Sequence, residues 1–290
     1  MRSSLSCLLM LGLAAGCSPR ESRAPAAEAS KDQPAAPAAA PAGPEGQTVV
    51  VTATDYAFDA PATIPAGLTT FRLVNRGKEL HHMVLLKIPE GKTLEDVAKE
   101  SKGEMPPSWV HFDGGPNAVD PGSETSVTQI VEPGHYALVC VIPSPDGKPH
   151  MMKGMARTLD VTGPAAAAAA TPPADVTLKL ADYSFITSKP LTAGSHVIRV
   201  ENAGPQPHEI VLLKLAPGKS AQDFVNWAMK PSGPPPASAI GGISPMDNGR
   251  TSLMHVNLTP GEYAFVCFIP DAKDGKPHLA HGMIQQIRVE

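Results

Sequence analysis

The run GHYALVCVIPSPDGKPHMMKGM (134–155) returns as GEYAFVCFIPDAKDGKPHLAHGM (261–283). Each version carries a Cys, a His and a Met in fixed order: Cys140, His150 and Met155, then Cys267, His278 and Met283. An earlier histidine completes each set, His81 in the first half and His208 in the second; in both, 59 positions separate it from the Cys. Pro133-Gly134 marks a turn into a strand on which Tyr136 and Cys140 share a face, since side chains alternate with period two. The turn Pro145-Asp146-Gly147-Lys148-Pro149 returns the chain so that His150 approaches the Cys sulfur, and Met155 follows Gly154. Two imidazoles, a thiolate and a thioether are the donors a redox copper ion prefers, a trigonal His2Cys plane with a weak axial Met.

Outward from this run the halves keep matching. They align at an offset of 127 from Asp55-Tyr56 (Asp182-Tyr183) to Pro143 (Pro270), and one inserted residue before Asp274 makes it 128. Shared landmarks include Phe58/Phe185, Asn75/Asn202, Val84-Leu85-Leu86-Lys87/Val211-Leu212-Leu213-Lys214 and Gly114-Gly115/Gly241-Gly242. Two copies are too few for a solenoid, so each reads as a self-standing domain, 47–162 and 174–290. Within each, short β-rich runs such as Thr48–Thr54, Val84–Ile88 and Ser126–Val131 are punctuated by Pro and Gly. That pattern predicts an all-β fold of two tandem β-sandwiches. Thr93-Leu94-Glu95-Asp96 and Ser220-Ala221-Gln222-Asp223 read as capping boxes, so each half carries a short helical insertion.

The order His … Tyr-x3-Cys-x(n)-His-x4-Met resembles the cupredoxins, the plastocyanin and azurin group of blue copper proteins, over nearly the whole of each repeat. The resemblance implies Greek-key sandwiches that bind up to two copper ions per chain and pass single electrons. It implies that His81, Cys140, His150 and Met155 hold one ion and His208, Cys267, His278 and Met283 the other. The ligand loops depart from it in length: nine residues lie between Cys140 and His150 and ten between Cys267 and His278, nearer the loops of two-domain copper nitrite reductases.

Those reductases and the multicopper oxidases resemble one another in placing a His beside the Cys. Here Cys140 sits between Val139 and Val141, Cys267 between Val266 and Phe268, and no His-x-His pair occurs. The chain is therefore expected not to be an enzyme. Two other readings stay open: a copper-binding or storage lipoprotein without a redox partner, and a metal-free interaction module. A lone Cys is commonly a small core hydrophobe, and Met155 could serve packing alone. His82 aligns with Glu209 and is expected to face solvent. His281 aligns with Lys153, while His111, His135, His196 and His255 lack histidine counterparts and read as surface or hydrogen-bonding groups. Met151 and Met152 read as rim residues, and Trp109 and Trp227 as local packing.

The 290 residues are long enough for two cores, and a net charge of −4 offers no basic field for nucleic acid. Residues 1–16 read as an export signal, with Arg2 ahead of the apolar run Leu8–Leu13, too short to span a bilayer. Leu13-Ala14-Ala15-Gly16-Cys17 resembles the lipobox of bacterial lipoproteins, with Ala14 where Leu is usual. The resemblance implies lipidation of Cys17 and, with Ser18 following, an anchor in the outer membrane facing the periplasm; a plain secretory signal is the alternative. Residues 17–46 are Pro, Ala and charge, a semi-rigid tether, and 163–173 form a linker. Cys7 leaves with the signal, so Cys140 and Cys267 remain unpaired in an oxidising compartment, where a metal bond would protect them. The expected partners are a redox protein such as a cytochrome and the membrane.

Overall fold

The computed structural model describes residues 46–101, 105–164 and 171–290. The expected export signal, Cys17, nearly all of the tether and the six alanines of the linker lie outside the described residues. In the first half the strands are β1 (Gln47–Thr54), β2 (Ala57–Asp59), β3 (Thr63–Pro65), β4 (Gly67–Asn75), β5 (Val84–Ile88), β6 (His111–Phe112), β7 (Glu124–Val131), β8 (Gly134–Val139) and β9 (Ala156–Thr162). The second half holds β10 (Val176–Ala181), β11 (Ser184–Thr187), β12 (Gly194–Asn202), β13 (His208–Leu215), β14 (Ala237–Met246), β15 (Thr251–Leu258), β16 (Gly261–Val266) and β17 (Ile284–Val289). The chain is all-β apart from two short helices, α1 (Leu94–Glu100) and α2 (Ala221–Met229), and brief 3-10 turns.

Each half is a sandwich because its strands carry apolar residues at period two. Tyr136 and Leu138 of β8, and Cys140 just beyond its end, face the core shared with Val51, Phe71 and Leu85, while Ala137 and Val139 face a second core. That second core is roofed by α1, whose Val97 is buried against it. In the second half, Leu212 and Phe265 point into the sandwich, and Leu213 and Val266 pack beneath Phe224 of α2. Both helices start at the expected capping boxes, Thr93 with Asp96 and Ser220 with Asp223. Each cap contributes about 1 kcal/mol, enough to start a helix too short to stand alone.

The two halves share one sheet. Its strand order is β11-β10-β12-β15-β7-β4-β1-β2, with β15 and β7 joining the copies. A five-stranded sheet (β3-β9-β8-β5-β6) closes the first sandwich and a four-stranded one (β14-β13-β16-β17) the second. The junction is isologous in the repeat register: Val127 pairs with its own counterpart Met254, Ser126 with His255 and Thr128 with Leu253. A second line of bridges obeys the same two-fold relation, with Pro116 opposite Ile243, Asp113 opposite Met246 and Val119 opposite Ile240. Asn117 N–H donates to Gly242 O (3.1 Å) and Ser244 N–H to Gly115 O (2.8 Å). The shared Gly-Gly pairs are required within each half, where the backbone passes close to its own neighbouring strand. A Cβ on Gly115 would lie 2.5 Å from Met83 O, one on Gly242 would strike Ile210 O, and both residues have positive φ.

Candidate metal centres

Cys140 leaves the end of β8 with its backbone tied to the returning loop. Its N–H donates to Met155 O (3.1 Å) and its carbonyl accepts from Met151 N–H (2.7 Å). His150 N–H reaches Ile142 O (2.9 Å) and Met155 N–H reaches His150 O (3.0 Å), so the Cys, His and Met backbones interlock. The second half repeats these four bonds: Cys267 to Met283 (3.2 Å), Leu279 to Cys267 (2.9 Å), His278 to Ile269 (2.8 Å) and Met283 to His278 (3.0 Å). The longer second loop changes none of this. Its extra residue lies beyond the Pro270–Pro277 bridge, which matches Pro143–Pro149, and is absorbed in the outer turn. Gly154 and Gly282 close the turns before Met155 and Met283 with φ of 108° and 96°, a conformation open to glycine.

These anchors bring the expected donors together. His81, Cys140 and His150 offer ligand atoms within 4.8 Å of one another, as do His208, Cys267 and His278. The Nδ1 atoms of His81 and His150 lie 3.1 Å apart, and Cys140 Sγ is 3.4 Å from His150 Nδ1. The corresponding distances in the second half are 3.0 and 3.5 Å. All six residues, with Met155 and Met283, are fully buried, and each Met packs in the same core as its Cys.

Carboxylates hold the backs of the rings. His81 Nε2 is 3.2 Å from Asp55 Oδ1, His150 Nε2 is 2.9 Å from Glu79 Oε2, and His208 Nε2 is 2.8 Å from Asp182 Oδ1. A carboxylate only accepts, so each of these Nε2 atoms carries a proton and Nδ1 is the ring atom left to meet a metal. In the first half the two Nδ1 atoms therefore face each other beside a buried sulfur, an arrangement suited to a cation. The residues present fit copper, and the two His-Cys-His groups can hold copper ions. The fourth carboxylate is displaced. Asp271 Oδ2 lies 3.9 Å from His278 Nε2, a buried atom without a hydrogen-bond partner among the described residues. Asp271 Oδ2 is engaged instead by the Tyr183 hydroxyl and by Gln206 Nε2 (3.0 Å).

Burial pushes the Cys140 thiol up to about 12 and raises that of Cys267 as well. Burial also lowers His81 and His208, against the opposing hydrogen bonds from Asp55 and Asp182. Burial raises Asp55 too, but the N–H groups of Lys78 (2.8 Å) and Glu79 (3.3 Å) and the His81 ring outweigh it, and the net shift is downward.

The supporting carboxylates escaped the motif reading, although the matched Asp55-Tyr56 and Asp182-Tyr183 pairs were the available signal. Tyr56 and Tyr183 are the non-glycine residues with positive φ among those described, at 70° and 62°. Each edge packs on the loop histidine, 5.3 Å from the His150 ring centre and 5.5 Å from that of His278. Such backbone strain at equivalent places beside both centres marks a constrained site.

The expectation for His82 is corrected. It is buried, and so is its counterpart Glu209, because both lie at the junction of the halves rather than on the outer surface. His111, His135 and His281 are exposed and bond carboxylates, while His255 bonds Thr128 across the junction. Among the described residues no helix is long and apolar enough to cross a membrane.

No protein-family model matches the chain, and neither does any curated protein. Solved structures do. The chain is similar to a dithionite-reduced auracyanin from Roseiflexus castenholzii, at 20% identity over 42% of this chain and 100% of that one, with a TM-score of 0.30. It is similar to a blue copper oxidase from Nitrosomonas europaea, at 14% identity over 84% of this chain and 86% of that one, TM-score 0.26. A copper nitrite reductase from Nitrosomonas europaea matches at 16% identity over 84% and 93%, TM-score 0.23. The expectation that the chain is no enzyme is overturned by the oxidase and the reductase among these structures. The missing His beside each Cys spoke to one wiring of a catalytic copper, not to catalysis as such.

Proposed function

We propose that the chain is a tandem cupredoxin, a copper-binding electron-transfer protein with one type 1-like copper in each half. The observation that carries this reading is the pair of imidazole Nδ1 atoms, 3.1 Å apart with their rings held by Asp55 and Glu79, beside the buried sulfur of Cys140. Copper, when bound, supplies a one-electron couple. The chain supplies the rest. The interlocked loop and the carboxylate-braced rings hold the donors in place, so little has to rearrange between oxidation states. Full burial of the donors keeps water from the sulfur and makes electron exchange independent of ligand exchange. Met155 and Met283 are proposed as the axial donors. A redox protein such as a cytochrome is the proposed outside partner, with attachment to the membrane through a lipid on Cys17.

Copper content and the visible spectrum of one sample test this reading. Loading with Cu(II) should give two coppers per chain and intense thiolate-to-copper absorption, and the loaded protein should exchange electrons with a cytochrome. A colourless, copper-free product after loading would overturn it.

A further inference from the structure

The residue after the first histidine of each centre points into the junction between the halves. His82 Nε2 accepts the N–H of Val141, the residue following Cys140 (2.9 Å). Its repeat counterpart Glu209 accepts, through Oε1, the N–H of Phe268, the residue following Cys267 (3.0 Å). Two different side chains thus make the same contact in the two copies.

Both meet at one amide. Asn117 Nδ2 lies 2.9 Å from Glu209 Oε2 and also reaches the carbonyls of Ile210 (3.3 Å) and Ile243 (3.1 Å). Those three acceptors fix the amide's orientation and turn Oδ1 toward the Ala118 N–H (2.7 Å), and the His82 ring lies beside the same side chain. Because His82 Nε2 accepts, its Nδ1 carries the proton. A path results: Cys140, Val141 N–H, His82, Asn117, Glu209, Phe268 N–H, Cys267, hydrogen-bonded on either side of its central step, where His82 and Asn117 lie side by side. Its side chains are buried throughout.

We infer that His82, Asn117 and Glu209 form a bridge for electron exchange between the two copper centres within one chain. The inference rests on the copper reading above. Tunnelling decays less steeply along covalent and hydrogen bonds than across van der Waals gaps, and this path begins and ends on residues bonded to the two sulfur ligands. The step moves one electron: the donor centre is oxidised by one unit and the acceptor centre reduced by one. No bond forms or breaks, and no proton is required to leave the bridge. The chain then works as a two-electron reservoir whose halves equilibrate internally.

The test uses the copper-loaded full chain in a Met283→Leu background, since changing the axial donor separates the centres in potential. After a one-electron reduction pulse, the two visible bands should exchange intensity in a phase whose rate is independent of protein concentration. Asn117→Leu removes the amide. Glu209→Gln replaces two acceptor ends with one acceptor and one donor, so one of its two links is lost whichever way the amide turns. Both should slow the phase severalfold with two coppers still bound per chain. His255→Ala, which removes a cross-half bond to Thr128 (2.8 Å) away from the bridge, should leave the rate unchanged. An unaltered rate in both bridge variants, equal slowing in His255→Ala, or no concentration-independent phase overturns the bridge and leaves the copper reading standing. Fewer than two coppers in the unsubstituted chain overturns the copper reading, and the bridge with it.

Discussion

Glu79 Oε2 lies 2.9 Å from His150 Nε2, whereas Asp271 stands 3.9 Å from His278 Nε2 and approaches from a different part of the fold. In the repeat register Glu79 corresponds to Gln206, and Asp271 to Ser144. The carboxylate facing the loop histidine has therefore moved between the halves. Near-identical donor sets are braced differently, and the centres should not respond alike to loss of that brace. Glu79→Gln should weaken copper binding at the first centre about 10–100-fold, the usual cost of losing a partner behind a ligand. Asp271→Asn should cost the second centre less. Competition titration with a copper chelator, on variants keeping one Cys, reads both numbers; equal losses would refute the asymmetry.

Each sulfur should account for one copper. Cys140→Ser and Cys267→Ser are each expected to lose one copper per chain and about half of the visible absorption. The double variant should be colourless yet folded, because both thiols are small buried groups within intact cores. Metal analysis with the spectrum of the same sample checks this.

Copper uptake should release protons. Burial keeps Cys140 protonated at neutral pH, its pKa pushed up to about 12, and raises Cys267 as well. His81 and His208 have lowered pKa values and are already neutral at pH 7. Binding must therefore expel about one proton per centre, from sulfur, and weaken as pH falls. Calorimetry in buffers of different ionisation enthalpy gives the count, and zero release would contradict ligation by thiolate.

Acid should destabilise the copper-free protein through its buried histidines. Burial lowers His82 to about 4, from an ordinary 6.5. Between those values the unfolded chain binds a proton that the folded chain refuses. The contribution is present above pH 6.5 and lost as pH falls toward 4, about 3 kcal/mol for this group. Urea unfolding at pH 7.5 and 4.5 should show a smaller difference in His82→Gln, which keeps a donor and an acceptor without the titration. An unchanged difference would count against the assignment.

Gly77 lies against the back of His81. A Cβ there would sit 2.5 Å from Nε2 and closer still to Asp55 Oδ1, while the Gly204 equivalent would be 2.6 Å from His208 Nε2. Gly77→Ala should force the ring or its carboxylate aside and lower copper occupancy of the first centre while sparing the second. Normal occupancy of both centres would show that the ring needs no such clearance.

The sequence alone carried the repeat, the all-β class, both capping boxes and the His and Cys residues that the fold gathers into two groups. Those features are written in local chemistry: period-two apolar runs, Pro-Gly turns, and loop spacings that a chain of fixed reach must close. His82 was misread for the opposite reason. Facing Glu209 in register made it resemble a surface position, but neither side chain has meaning until the copies are set against each other. The order of strands in the shared sheet, the self-pairing of Val127 with Met254, and the meeting of His82, Asn117 and Glu209 are long-range facts that no window of sequence contains. Which carboxylate braces which ring belongs with them, since Glu79 and His150 are 71 positions apart and meet only in the folded chain. Residue type and spacing picked out the His and Cys residues that the fold gathers into two groups. Packing of one copy on the other decided how they are held and what joins them.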